Sequence, residues 1–170
     1  MSSKSRITGG SLSPVSIHHH IRKHSSLERV DYADTFLLTL PQNCPKRSPE
    51  QWIRAVFGDL PNTQQKFIWT GLLGLPLLQE RSPTIVAGWR IGKQSEDGIQ
   101  IENRSWLLSA NLIVHQTPNS VSLATLIQYN SLLGRIWWTI LSVVHRSVMP
   151  SMLQKAEEKY IRPANQSLMY

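Results

Sequence analysis

The chain has 170 residues, 41% of them hydrophobic, and a net charge of +7, so one globular domain with a sizeable core is the default. Its single cysteine, Cys44, excludes an intrachain disulfide and points to a reducing, cytoplasmic setting. The longest uncharged apolar stretches, residues 67–78 and 136–144, fall short of the roughly 20 residues a bilayer-spanning helix needs, so no stable membrane insertion is expected.

The basic balance is a weak guide to partners. Lys4, Arg6, Arg22 and Lys23 against Glu28 put +3 of the charge into the first 28 residues, and nucleic-acid binding calls for basic side chains grouped on a folded element. No nucleic-acid partner is expected. Residues 1–28 carry no sustained hydrophobic period and read as a disordered basic tail. His18, His19, His20 and His24 lie in it, but a metal site needs ligands fixed by a fold and backed by further hydrogen bonds. No metal and no cofactor is expected.

Residues 30–40 alternate through Val30, Tyr32, Phe36, Leu38 and Leu40, with one break at Asp34, and predict a strand ended by Pro41. The Pro-rich loop that follows holds Cys44, with Lys46 and Arg47 near enough to lower a thiol pKa. Ser48, Pro49 and Gln51 form a helix start with a capping box, and Trp52, Ile53, Val56 and Phe57 give that helix its apolar face. A second short helix is predicted over residues 63–73. From residue 84 the period turns to two. Strands are predicted at 84–93, after the Asp97-Gly98 turn, at 106–115 and at 121–129, an antiparallel meander. Arg90 and Glu102 are expected as an outward pair across the Asp97-Gly98 hairpin. The stretch 130–159 predicts a long helix whose apolar face runs through Leu133, Trp137, Ile140, Leu141, Val144, Val148 and Met152. Pro150 should kink or split it.

A strand, two short helices, a meander and a long final helix resemble the helix-grip fold of the START-like superfamily, which includes Bet v 1-type allergens, polyketide cyclases and lipid-transfer domains. More narrowly, the DYADTF strand, the SPEQWIRAVFG helix and the pattern from Trp138 to Leu153 look like a bacterial family within it to which no reaction is attached. The resemblance covers residues 29–160, with 161–170 as a flexible C-terminal tail. It implies an α+β fold in which a curved antiparallel sheet is gripped by the last helix, with a cavity between them. Five predicted strands, against seven in the full grip, are the departure from that pattern.

Helix and sheet would have to bury their apolar faces against each other. Trp89, Trp106, Tyr129, Trp137, Leu141 and His145 are the residues expected to line the space between them. His145 is the polar group most suited to meet a ligand or move a proton near neutral pH. No P-loop, dinucleotide fingerprint or nucleophile elbow is present. The expected partner is an apolar small molecule or lipid. A cyclase- or dehydratase-like enzyme using the same cavity is the alternative, and a docking module built on residues 67–78 the third reading.

Overall fold

The structure, a computed structural model, describes residues 6–12, 19–42, 44 and 46–166. Seven antiparallel strands form one sheet: β1 (Ile7–Leu12), β2 (Tyr32–Thr39), β3 (Ile85–Val86), β4 (Trp89–Gln94), β5 (Gly98–Arg104), β6 (Leu108–Thr117) and β7 (Ser120–Tyr129), in the spatial order β1-β2-β7-β6-β5-β4-β3. The helices are α1 (His19–Arg22), α2 (Pro49–Phe57), α3 (Thr63–Lys66) and α4 (Leu132–Gln166). This α+β arrangement, a meander with a long C-terminal helix laid against it, is the helix-grip architecture.

The two strands beyond the five expected have separate origins. Within the stretch 84–93 the chain turns back at Ala87 and Gly88, both with positive φ (49° and 83°). Two consecutive left-handed residues make a tight hairpin, and β3 pairs β4 across it. The other strand, β1, lies in the presumed tail and pairs with β2 along its whole length. The expectation of a disordered 1–28 segment is thus corrected over the residues described there. Edge pairing needs only backbone groups, so Gly9 and Gly10 can join a strand that shows no apolar alternation.

The helix signals hold in detail. Ser48 and Gln51 form the capping box of α2, and Asn62 and Gln65 form a second one at α3. Arg54 anchors α2 to the sheet edge, donating to the carboxylates of Glu50 and Asp59 (2.9 and 3.0 Å) and to the Ile85 carbonyl (3.0 Å). The second predicted helix, 63–73, is helical through Leu72, but it is α-helical only over α3 and then passes into a π-helical stretch, Phe67–Leu72. Ser131 caps α4 through its hydroxyl, which accepts from the Gly134 amide at 3.0 Å. Gly134 is required by close approach, because a Cβ there would sit 2.0 Å from the Leu107 carbonyl oxygen.

α4 is not split at Pro150, and it extends beyond residue 160 to Gln166; residues 167–170 lie outside the described part. Its buried face also differs from the one expected. Trp138, Ser142, Met149, Leu153 and Ala156 are buried, whereas Leu133, Ile136, Trp137, Ile140, Val144 and Val148 are exposed. The first turns of this helix are apolar all round, so periodicity there carries no phase. No helix of the described residues is long and apolar enough to cross a membrane.

The sheet face toward α4 carries Phe36, Leu38, Ile101, Leu108, Leu112, Leu123 and Ile127 in one core with α2. The outer face carries a smaller cluster, where Ile21 packs on Ala33, Ile113, Ala124 and Leu126. Beside that cluster the chain after α1 is tied down by polar contacts. Asn111 Oδ1 accepts from the Ser25 hydroxyl and the Ser26 amide, both at 2.9 Å, and Lys93 Nζ donates to the Ser25 carbonyl at 2.8 Å.

Candidate ligand-binding site

Between the sheet and α4 lies a cavity of about 390 Å³, within the roughly 300–1,000 Å³ range of small-ligand pockets. β6 and β7 supply its floor through Leu108, Ala110, Leu112, Thr125 and Ile127. α4 supplies the roof through Trp138, Leu141, His145, Met149 and Met152, and Trp69, Leu73 and Leu75 wall one side. Period-two alternation puts the floor residues on one sheet face. Small Ala110 opposite a helix leaves the space that larger side chains would fill.

Between floor and roof one polar constellation reaches the lining through Thr125 and His145; its other members, Asp34 and Tyr32, do not line the cavity. Asp34 and Thr125 are cross-strand partners on β2 and β7, so both point at α4, where His145 meets them. The His145 Nε2 lies 2.9 Å from the Thr125 hydroxyl and 3.2 Å from Asp34 Oδ2. The same Asp34 oxygen accepts from the Tyr32 hydroxyl at 2.7 Å. Trp138 packs against both, its ring 5.2 Å from His145 and 5.4 Å from Tyr32. Asp34 is fully buried, 0% exposed, and its Oδ1 has no hydrogen-bond partner among the described residues. Burial raises the Tyr32 phenol above its ordinary pKa, and the adjacent Asp34 carboxylate adds to the effect. Asp34 and Thr125 together orient the imidazole through Nε2, and Nδ1 has no partner among the described residues.

Of the six residues expected to line the cavity, Trp89, Leu141 and His145 do so. Trp106, Trp137 and Tyr129 do not. Trp106 is 66% exposed: the Ser105 hydroxyl accepts from the Leu107 and Leu108 amides, so residue 106 sits in a turn and alternation starts only at Leu108. Trp137 is 37% exposed, and its neighbour Trp138, 5% exposed, takes the inner position, as the phase of α4 dictates. Tyr129 ends β7 beyond the cavity, where its amide donates to Asp31 at 2.8 Å. Asp34 is the polar residue that sequence reasoning missed. Its signal was the break in the alternation of β2, an acid where an apolar residue was due.

Other singled-out groups are accounted for elsewhere. The Cys44 thiol is raised by burial, with Glu157 adding to the shift and Arg47 opposing it, so its basic neighbours in sequence do not activate it. Arg90 and Glu102 are register partners on the outer face, but Glu102 accepts from Gln100 Nε2 at 2.9 Å, and no ion pair joins it to Arg90. His18 lies outside the described residues, as does the side chain of His20. His19 is exposed, and His24 is buried against Ser95 at 2.9 Å. Among the described residues no group of three or more His, Cys, Asp or Glu side chains is arranged to hold a metal ion.

No family model and no curated protein matches the chain. Among solved structures it is similar to the crystal structure of the di-domain ARO/CYC BexL from the BE-7585A biosynthetic pathway, at 12% identity and a TM-score of 0.37, over 76% of this chain and 50% of that one. The chain therefore spans about half the length of that protein. The helix-grip assignment rests on element order and sheet topology.

Proposed function

We propose that this protein binds an apolar small molecule or single-chain lipid between its sheet and α4, as a member of the START-like superfamily acting in a reducing, cytoplasmic compartment. The observation that carries this reading is the 390 Å³ cavity itself, apolar in floor and roof with one hydrogen-bonding station, Thr125–His145. Apolar walls supply affinity by removing ligand surface from water, and the single polar station orients it. The test is a titration with the neutral fluorophore N-phenyl-1-naphthylamine. Wild type should bind it in a saturable manner. Ala110→Phe, which fills the floor of the cavity, should abolish binding while the protein stays folded, at an overpacking cost of about 1–3 kcal/mol. Saturable binding that is unchanged in Ala110→Phe would place the ligand elsewhere.

The Asp34–His145 pair favours a second reading, an enzyme that moves a proton next to a carbonyl. Asp34 fixes the imidazole, Nδ1 takes the α-proton, and the adjacent Asp34 carboxyl group offsets the positive charge the ring gains. A long-chain ketone such as 2-dodecanone, incubated in D2O, should gain α-deuterium faster with wild type than in buffer. His145→Gln should lose that advantage. A rate equal to buffer removes this reading and leaves the binding one standing.

A further inference from the structure

The apolar cavity has a charged rim, and its charges have one sign. Lys155 and Lys159 line the cavity one turn apart on α4, as do Asn62, the N-cap of α3, and Gln64 within it, and all four are exposed. Neither lysine makes an ion pair among the described residues. Lys159 Nζ donates only to the Ala55 carbonyl, at 3.4 Å. Glu158, the exposed acid between them, lies beyond ion-pair distance of both. The Asn62 amide oxygen is committed to the α3 cap, where it accepts from the Gln65 amide at 2.8 Å, so its NH2 group is left to donate outward. The rim thus carries two ammonium groups together with the Asn62 and Gln64 amides.

We propose that the ligand is a single-chain anionic amphiphile, its carboxylate-like head held at this rim by Lys155 and Lys159 and its apolar body inside the cavity. The inference rests on the cavity-binding reading above and names the ligand class for it. At roughly 30 Å³ per methylene-sized group, 390 Å³ holds on the order of a dozen such groups. That matches one medium-length chain. A lysine is a compact point charge on a flexible stem, suited to an anion at a wet rim. A charge-assisted hydrogen bond there is worth about a tenfold gain in affinity.

Dodecanoate and dodecanol share one chain and differ in head charge. At pH 8 and low salt, each displaces N-phenyl-1-naphthylamine from wild type, and dodecanoate should bind about tenfold tighter. The advantage should shrink with added salt. It should vanish in Lys155→Gln/Lys159→Gln and persist in Lys155→Arg/Lys159→Arg, both at exposed positions that leave the fold intact. Equal affinities of dodecanoate and dodecanol for wild type would overturn the head-group assignment while leaving the cavity reading in place. Failure of the fluorophore to bind, or its binding unchanged in Ala110→Phe, would overturn both.

Discussion

The two faces of the one sheet are finished in opposite ways. On the inner face, α4 spans apolar strands and a cavity remains between them. On the outer face, residues 21–31 lie on the strands and polar side chains tie them down beside an open, polar groove of about 600 Å³ edged by Ser26, Arg90, Glu102 and Asn111: Asn111 and Gln100 are both at most 1% exposed, and each is hydrogen-bonded to Ser26. A buried polar network is satisfied only in one geometry, which suits a face that holds a segment in place. An apolar lining is indifferent to small displacements of what it touches, which suits a face that accepts a ligand.

This contrast is open to graded disruption. Trp138→Ala should have the largest effect, a loss of about 3–5 kcal/mol in denaturant unfolding, because that ring packs on both His145 and Tyr32. Asn111→Ala should cost less, about 1–3 kcal/mol. Its signature is local: faster amide hydrogen exchange over residues 21–30, with cavity binding retained. Trp106→Ser and Trp137→Ser should each stay within about 0.5 kcal/mol of wild type and leave fluorophore affinity unchanged, since both side chains are outside the cavity.

The smallest expected effect is a pH dependence on the outer face. Burial lowers the His115 pKa below its ordinary value, although Asp97 opposes the shift from 3.4 Å. The unfolded chain therefore takes up that proton more readily than the folded one. The stability His115 contributes is present above about pH 6.5 and is lost as pH falls through the lowered folded value. Between pH 7.5 and 5.5 the unfolding midpoint of His115→Gln should fall less than that of wild type.

Much of this plan was legible before the structure. Strict alternation placed β5 to β7, and the Ser48-Pro49-Gln51 start located α2, because both signals are local. What escaped detection depended on partners far away in sequence. The Ala87-Gly88 hairpin hides inside an alternating run, since a two-residue turn leaves the period intact. β1 is held by pairing with β2 and by Ile7 against the core, neither of which leaves an alternating pattern in the sequence. The face of α4 could not be phased because its early turns are apolar on every side; only the sheet selects Trp138 over Trp137. The site was legible to the extent that His145 stood out on a helix. Asp34 appeared as an irregularity in a strand, and its pairing with a residue 111 positions later, from 34 to 145, exists only once the sheet and α4 meet.

Whether a ligand occupies the inner face and leaves the outer one untouched can be read from methyl-resolved NMR of the protein titrated with N-phenyl-1-naphthylamine. Leu112, Leu141, Met149 and Met152 line the cavity, while Ile21, Ile113 and Leu126 form the outer cluster. Saturable shifts confined to the first group are the predicted result. Shifts centred on the second group, or none in either at saturating fluorophore, would contradict the account.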